Sequence, residues 1–285
     1  MKMLTAVLLG AFLFPGCVQS IAVNAVGGIV DDGFEAVTEE EDLALAAAAL
    51  PANLKLLEVM LKNEPENTRL LLLLSEGYCS YALGFVEDEE PERARLLYGR
   101  GRDYGLRALR QDPSWAAALD GNLPELEAHL VRAEKEMVPA AFWSGFGWGG
   151  LIMLSLSDPD AVADIPKAEA LMRFVAREDS SFYHGGAHVF LGTLAGSRPR
   201  ILGGNPERSR EHFETALRMA GGMFLMTYVY YARSYAVQTL NEALFEELLG
   251  RVREAPAEAP RGIRLANAIA RKKAELLLGR KAELF

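Results

Sequence analysis

Cysteine is nearly absent from this sequence. Of 285 residues only Cys17 and Cys79 carry a thiol, too few for a disulfide framework or a cysteine-rich zinc site. Basic charge is scarce as well: 30 Lys and Arg stand against 39 Asp and Glu, a formal net charge of −9. A nucleic-acid binder neutralises phosphates with the opposite sign, so that partner class is disfavoured. No alternating strand pattern of useful length occurs. No Ser, His and acid arrangement stands out, and no pair of carboxylates sits in an apolar setting. The Gly203-Gly204 pair before Asn205-Pro206 lacks the lysine and spacing of a phosphate-binding loop. What is abundant is apolar side chain. Hydrophobic residues make up 50% and charged residues 24%, which supports a packed core and excludes wholesale disorder.

The apolar run at the start, Met3 to Phe14, follows the single charge of Lys2 and has twelve residues. A spanning helix needs about 20, so this run reads as the core of a signal peptide. It ends in Gly16-Cys17, a small residue directly before a cysteine, as in a bacterial lipobox. Residues 1–16 are then a lipoprotein signal peptide and Cys17 is the acylated start of the mature chain. Leu13 stands one place earlier than the leucine of the usual motif. Val23-Asn24-Ala25 offers the alternative, an ordinary secretory cleavage that discards Cys17. Acyl chains contribute about 0.8 kcal/mol per buried methylene, and more than one chain makes a stable anchor. Val18, rather than Asp, follows the cysteine, which points to the outer membrane with the body in the periplasm. Residues 17–37 read as the lipidated tether and 38–285 as the folded body. Cys79 reads as a buried, inert thiol.

The body is a series of helices. Thr38 and Glu41 have the spacing of a capping box and open a helix over 39–50; Pro51 ends it and starts another over 51–62. Further helices are predicted over 67–86, 90–111, 123–137, 140–156, 165–177, 181–194, 206–219, 223–240, 241–254 and 262–284. Leu71, Leu74, Tyr78, Tyr81 and Phe85 step by three and four along one face. Helices joined by short turns mean an all-α fold. Glu64-Pro65 and Asp112-Pro113 each follow an apolar helix end with the spacing of a tetratricopeptide (TPR) repeat, but the two prolines are 48 residues apart rather than the usual ~34. The expectation is a stack of helical hairpins built from degenerate, extended TPR-like repeats.

Three stretches carry no charge: 137–157, 180–197 and 221–232. The first is long enough to span a bilayer, but Pro139 and four glycines weaken it and it fills a slot in the hairpin series. A helix apolar all round is usually central to a large helical domain. Glycines beside large aromatics also leave room for an apolar pocket. On that second reading the ligand-lining candidates are Trp143, Trp148, Tyr183, His188, Phe190, Tyr228 and Tyr231. His184 and His188 are four apart, a spacing that chelates zinc on a helix. The glutamate of an HExxH motif is missing between them, so a hydrogen bond between helices is the favoured role. No metal, no cofactor and no catalytic residue is expected.

The order of several segments resembles the TatT family, the lipoprotein T component associated with tripartite ATP-independent periplasmic (TRAP) transporters. The resemblance runs from Ala22-Val23-Asn24-Ala25 through Arg102-Asp103-Tyr104-Gly105-Leu106-Arg107 and Phe142-Trp143. It continues with Gly186-Ala187-His188, Leu202-Gly203-Gly204-Asn205-Pro206, Arg210-Glu211-His212-Phe213 and Arg264-Leu265-Ala266-Asn267. It implies a periplasmic, TPR-like helical lipoprotein that associates with the solute-binding protein of a TRAP system. It also implies homotrimers with pores near the subunit interfaces and a hydrophobic ligand. Two other functions stay open on the residues alone: a general envelope-assembly TPR scaffold, and a metal-dependent hydrolase using His184 and His188.

Overall fold

A computed structural model describes residues 32–285 except 199 and 257. Residues 1–31, on which the expected signal peptide, Cys17 and most of the expected tether fall, lie outside the described residues. The described chain is 80% helical, and no strand occurs among the described residues. This is the all-α class expected from the sequence.

Residues 32–38, at the end of the segment read as leader, form a short helix, α1. The capping box expected at Thr38 does not form. Because Thr38 ends α1, its hydroxyl donates back to the Glu35 carbonyl (2.8 Å). The next helix, α2 (Leu43–Asn63), starts five residues later. Asp42 caps it, accepting from the amides of Ala44 (2.9 Å) and Leu45 (3.1 Å). Pro51, expected to divide this region into two helices, lies inside α2 instead. Ala46, Leu50, Leu54, Leu57 and Leu61 make one buried stripe across it. Each leucine contributes about 2 kcal/mol on burial, so the stripe outweighs the ~3 kcal/mol of an interior proline.

The chain continues as α3 (Thr68–Tyr81), which widens into a π-turn over Ala82–Val86, and then α4 (Pro91–Leu109). Two eight-residue helices follow, α5 (Pro113–Asp120) and α6 (Leu123–Leu130). The sequence reading missed α5 and ran α6 on to 137. Neither is long enough to cover α4. That role falls to α7 (Val138–Met153), with which α4 makes its most extensive packing. The approach is close because α7 presents Gly147: a Cβ there would stand 2.7 Å from the Arg102 amide nitrogen and 2.9 Å from the Tyr98 carbonyl oxygen. The pairing of neighbouring helices is thus interrupted between α4 and α7.

Beyond it come α8 (Pro159–Ala163), α9 (Ile165–Glu178), α10 (Phe182–Gly196) and α11 (Pro206–Met219). Asn205 caps α11 through the Arg208 amide (3.0 Å), with Pro206 in the first turn, as the sequence indicates. Then α12 (Met226–Tyr230) opens into a second π-turn over Tyr231–Ala236, followed by α13 (Glu242–Glu254), α14 (Arg264–Gly279) and α15 (Lys281–Leu284). α2 is long and apolar enough to cross a membrane, with a mean hydropathy of 1.5 over its best window. Its inner leucines pack on α3, while Leu45, Leu56 and Val59 face outward.

Two apolar clusters result. One is centred on α3, α4, α7 and α9; the other joins α11 to α14. Leu83, Phe85 and Tyr183 pack against both.

Candidate ligand cavity

Between the two clusters the packing leaves a largely apolar cavity of about 180 Å³. It is larger than the roughly 150 Å³ that admits benzene in an apolar interior. Phe34 and Val37 of α1 close one part of its wall, Phe142, Trp143 and Phe146 of α7 another. Tyr183 and Phe190 come from α10, Phe224 and Met226 from the α12 region, and Leu265 and Ile269 from α14. The rings hold one another in place. Trp143 meets Tyr183 edge to face at 4.7 Å, Phe142 lies 5.4 Å from Tyr183, and Tyr183 lies 5.9 Å from Phe224.

Tyr183 reaches this position through an unusual backbone. Tyr183, His184 and Gly185 have φ of 46°, 59° and 77°, the left-handed region that disfavours side chains. Gly185 also passes so close to α11 that a Cβ would stand 3.2 Å from the Ala216 Cα. Strain of this kind persists only where surrounding packing enforces it, and here it turns a phenol ring into the seam between the two clusters.

One polar part of the wall is a closed set of charges. Glu87 accepts from the Tyr98 hydroxyl (2.5 Å) and from Lys273 Nζ (2.8 Å), and Arg233 approaches it at 3.7 Å. Lys273 also donates to Asp88 (2.7 Å). Glu87 follows the first π-turn and Arg233 lies within the second. Each π-turn inserts one extra residue into a helix and so re-aims the side chains after it. Burial pushes the phenols of Tyr98, Tyr183 and Tyr230 well above their ordinary value.

Glu76 is the other acid of the wall. It stands on α3 one turn before Ser80 and near the Tyr183 phenol. Its side chain is only half-buried by area because it borders the cavity. Its carboxyl is nevertheless desolvated, and burial pushes it up to about 7. The sequence reading missed Glu76, although it is the lone charge between Arg69 and Glu87. That isolation was the available signal. Glu87, Arg233 and Tyr230 were also missed, because nothing local marks them.

Of the residues named from the sequence, Trp143, Tyr183 and Phe190 stand in the cavity wall. The other four are placed elsewhere. Trp148 is buried with its indole N–H donated to Asp164 (3.0 Å) and the Arg102 guanidinium 5.7 Å from its ring. Tyr231 stacks on Phe213 at 4.7 Å. The Tyr228 hydroxyl lies over the Gly222 turn. His188 Nδ1 lies 2.9 Å from His212 Nδ1 on α11, and its Nε2 lies 2.7 Å from the Ser180 hydroxyl. The pair joins two helices. Burial holds both rings below the ordinary histidine value, His212 down to about 4, with His188 and Arg208 adding to its shift.

His184 and His188 do not converge. The left-handed residues before Gly186 break the helical spacing on which chelation rests, and His184 instead stacks on Phe224 at 4.9 Å. Among the described residues no group of three or more His, Cys, Asp or Glu is arranged to hold a metal. Cys79 is a free, buried thiol, pushed far up by desolvation.

A family model, that of the TRAP transporter T-component, matches residues 39–285. An uncharacterised protein of Treponema pallidum (strain Nichols) is 25% identical over 264 residues, covering 87% of this chain and 82% of its own.

Proposed function

From the chain's membership of the TRAP transporter T-component family, to which it belongs over residues 39–285, we propose that it is a lipid-anchored periplasmic component that docks the transporter's solute-binding protein and takes an apolar ligand into its cavity. The family is a transporter component, not an enzyme family. The observation that carries the ligand part is the cavity of about 180 Å³, walled by aromatic and aliphatic side chains between two cores. Pockets for small molecules have this make-up, mostly apolar with a few placed polar groups. A ligand that buries eight methylenes there gains about 6 kcal/mol at ~0.8 kcal/mol each, which corresponds to a dissociation constant of tens of micromolar. Such affinity suits a carrier that must also release.

The proposed anchor is Cys17, and a homotrimer with pores near its subunit interfaces is what the resemblance implies. Tethering confines the body to a thin layer and raises its effective concentration there. A helical body with extended surfaces then meets a soluble solute-binding protein often. The test is titration of the purified, delipidated protein against the solute-binding protein encoded beside a TRAP permease. The expected result is a reversible complex with a dissociation constant in the micromolar range, on the order of 8 kcal/mol. No association at roughly ten times that concentration, with both proteins folded, removes the docking role.

A further inference from the structure

Among the described residues three side chains of the cavity wall carry charge in their ordinary state: Glu76, Glu87 and Arg233. Two of them answer each other. Glu87 and Arg233 approach to 3.7 Å, and Lys273 binds Glu87 and Asp88 at 2.8 and 2.7 Å. That group holds two acids and two cations. Glu76 has no such answer. Among the described residues no hydrogen bond or ion pair reaches its carboxyl. Its polar neighbours are the neutral Tyr183, Ser80 and Cys79. Buried polar groups are nearly always satisfied, and each one that is not calls for an explanation.

We infer that the cavity receives an amphiphile with a protonated amine at one end, the ammonium group donating to the Glu76 carboxylate while the apolar body lies among Trp143, Tyr183 and Phe224. This rests on the reading of the cavity as a ligand site. An ammonium supplies both the missing charge and several donors, so it offsets the desolvation of the acid. A hydroxyl supplies one donor and no charge. A ligand carboxylate would place a second negative charge beside the first in a medium of low dielectric constant. It would have to turn instead to Arg233, which Glu87 already engages.

The pH dependence follows from the titratable groups in the cavity wall and from His184, which stacks behind it on Phe224. The carboxyl is half ionised near pH 7. Tyr98, Tyr183 and Tyr230 are pushed up and remain neutral, His184 is held below its ordinary value, and Arg233 stays charged. An alkylammonium is itself charged below pH ~10. Amine affinity therefore rises between pH 6 and pH 8.

The experiment titrates the full mature protein with octylamine, octanol and octanoate by calorimetry, each below its micelle-forming concentration, at pH 6 and pH 8. The expected result at pH 8 is octylamine binding about tenfold more tightly than octanol, with that preference shrinking several-fold at pH 6. Glu76→Gln keeps the shape and removes the charge. It should bring octylamine down to about the affinity of octanol while changing octanol far less. If octanol binds and octylamine binds no better, or if the amine preference survives in Glu76→Gln, the inference fails while the ligand cavity stands. Octanoate as the tightest ligand overturns it in favour of Arg233. Binding of none of the three removes the ligand reading itself, and the inference with it.

Discussion

Glu76 and Glu87 line one cavity under different conditions. Lys273, only 5% exposed, keeps Glu87 and Asp88 paired, and removal of one partner from such a set generally costs several kcal/mol. Glu76 has only desolvation acting on it, and its value rises to about 7 from 4.5. Between those two values the folded chain holds a proton that the unfolded chain has released, so stability falls as pH rises through this window. Above pH 7 the native state carries an ionised carboxylate that has no partner among the described residues. We predict that Glu76→Gln is more stable than the parent at pH 8, by up to about 3 kcal/mol, and about equal to it near pH 4. Thermal melts at the two pH values check this; a glutamine variant that melts lower at pH 8 would sink it. The histidine pair acts with the opposite sign. His212 stays neutral in the fold down to about 4, so the unfolded chain takes up protons first and stability drops as pH falls below 6.5. Both rings are partly exposed, and solvent screening keeps this contribution small. The pair cancels in the comparison of parent with Glu76→Gln.

Helix packing depends on a few backbone approaches. α4 and α7 cross where Gly147 meets the main chain of residues 98 and 102 at 2.7 to 2.9 Å from a virtual Cβ. Main-chain atoms in a helix cannot rotate away as a side chain can. We predict that Gly147→Ala lowers unfolding free energy by about 2–3 kcal/mol, because the two helices must separate. Gly250 on α13 is the control: among the described residues nothing beyond its own turn of helix lies within 4 Å of its virtual Cβ, so Gly250→Ala should be neutral or stabilise by about 0.5–1 kcal/mol. Urea denaturation of both variants decides the matter, and equal stability for the two would refute the steric account. The same scale explains why the cavity is polar where it is. Two π-turns, one after α3 and one after α12, bring Glu87 and Arg233 within 3.7 Å, and left-handed residues at the start of α10 bring in Tyr183.

At the scale of the molecule, the cavity belongs to neither apolar cluster alone. Tyr183, Leu83 and Phe85 touch both, so the cavity is a property of how the two clusters meet. Where the body resides depends on a different part of the chain. The apolar run ending in Gly16-Cys17 leads us to predict that Cys17→Ser shifts the protein from the membrane fraction to the soluble fraction, since acyl chains supply the anchor. Mass spectrometry of the mature N-terminus gives an independent reading: a chain starting at Val26 would mean ordinary secretion and no lipid.

Much of the fold could be read from the sequence because the relevant physics is local. Asn205 caps its helix through an amide three residues on, and Pro206 fits only a first turn, so α11 was found with both ends in place. The uncharged stretch that became α7 marked the centre of the body in the same way. Where local signals competed, tertiary burial won: a continuous leucine stripe carried α2 through Pro51, and α1 drew Thr38 away from its capping role. The site was legible in part. Trp143, Tyr183 and Phe190 came from aromatic placement on uncharged helices, but so did Trp148 and Tyr231, which the fold spends on Asp164 and Phe213. Composition and periodicity determined that helices form and which faces are apolar, because those depend on neighbours three and four residues away. Which aromatic borders empty space, and that Glu76 has no counter-charge among the described residues while Glu87 meets Lys273 from 186 positions along the chain, was decided only when distant helices packed.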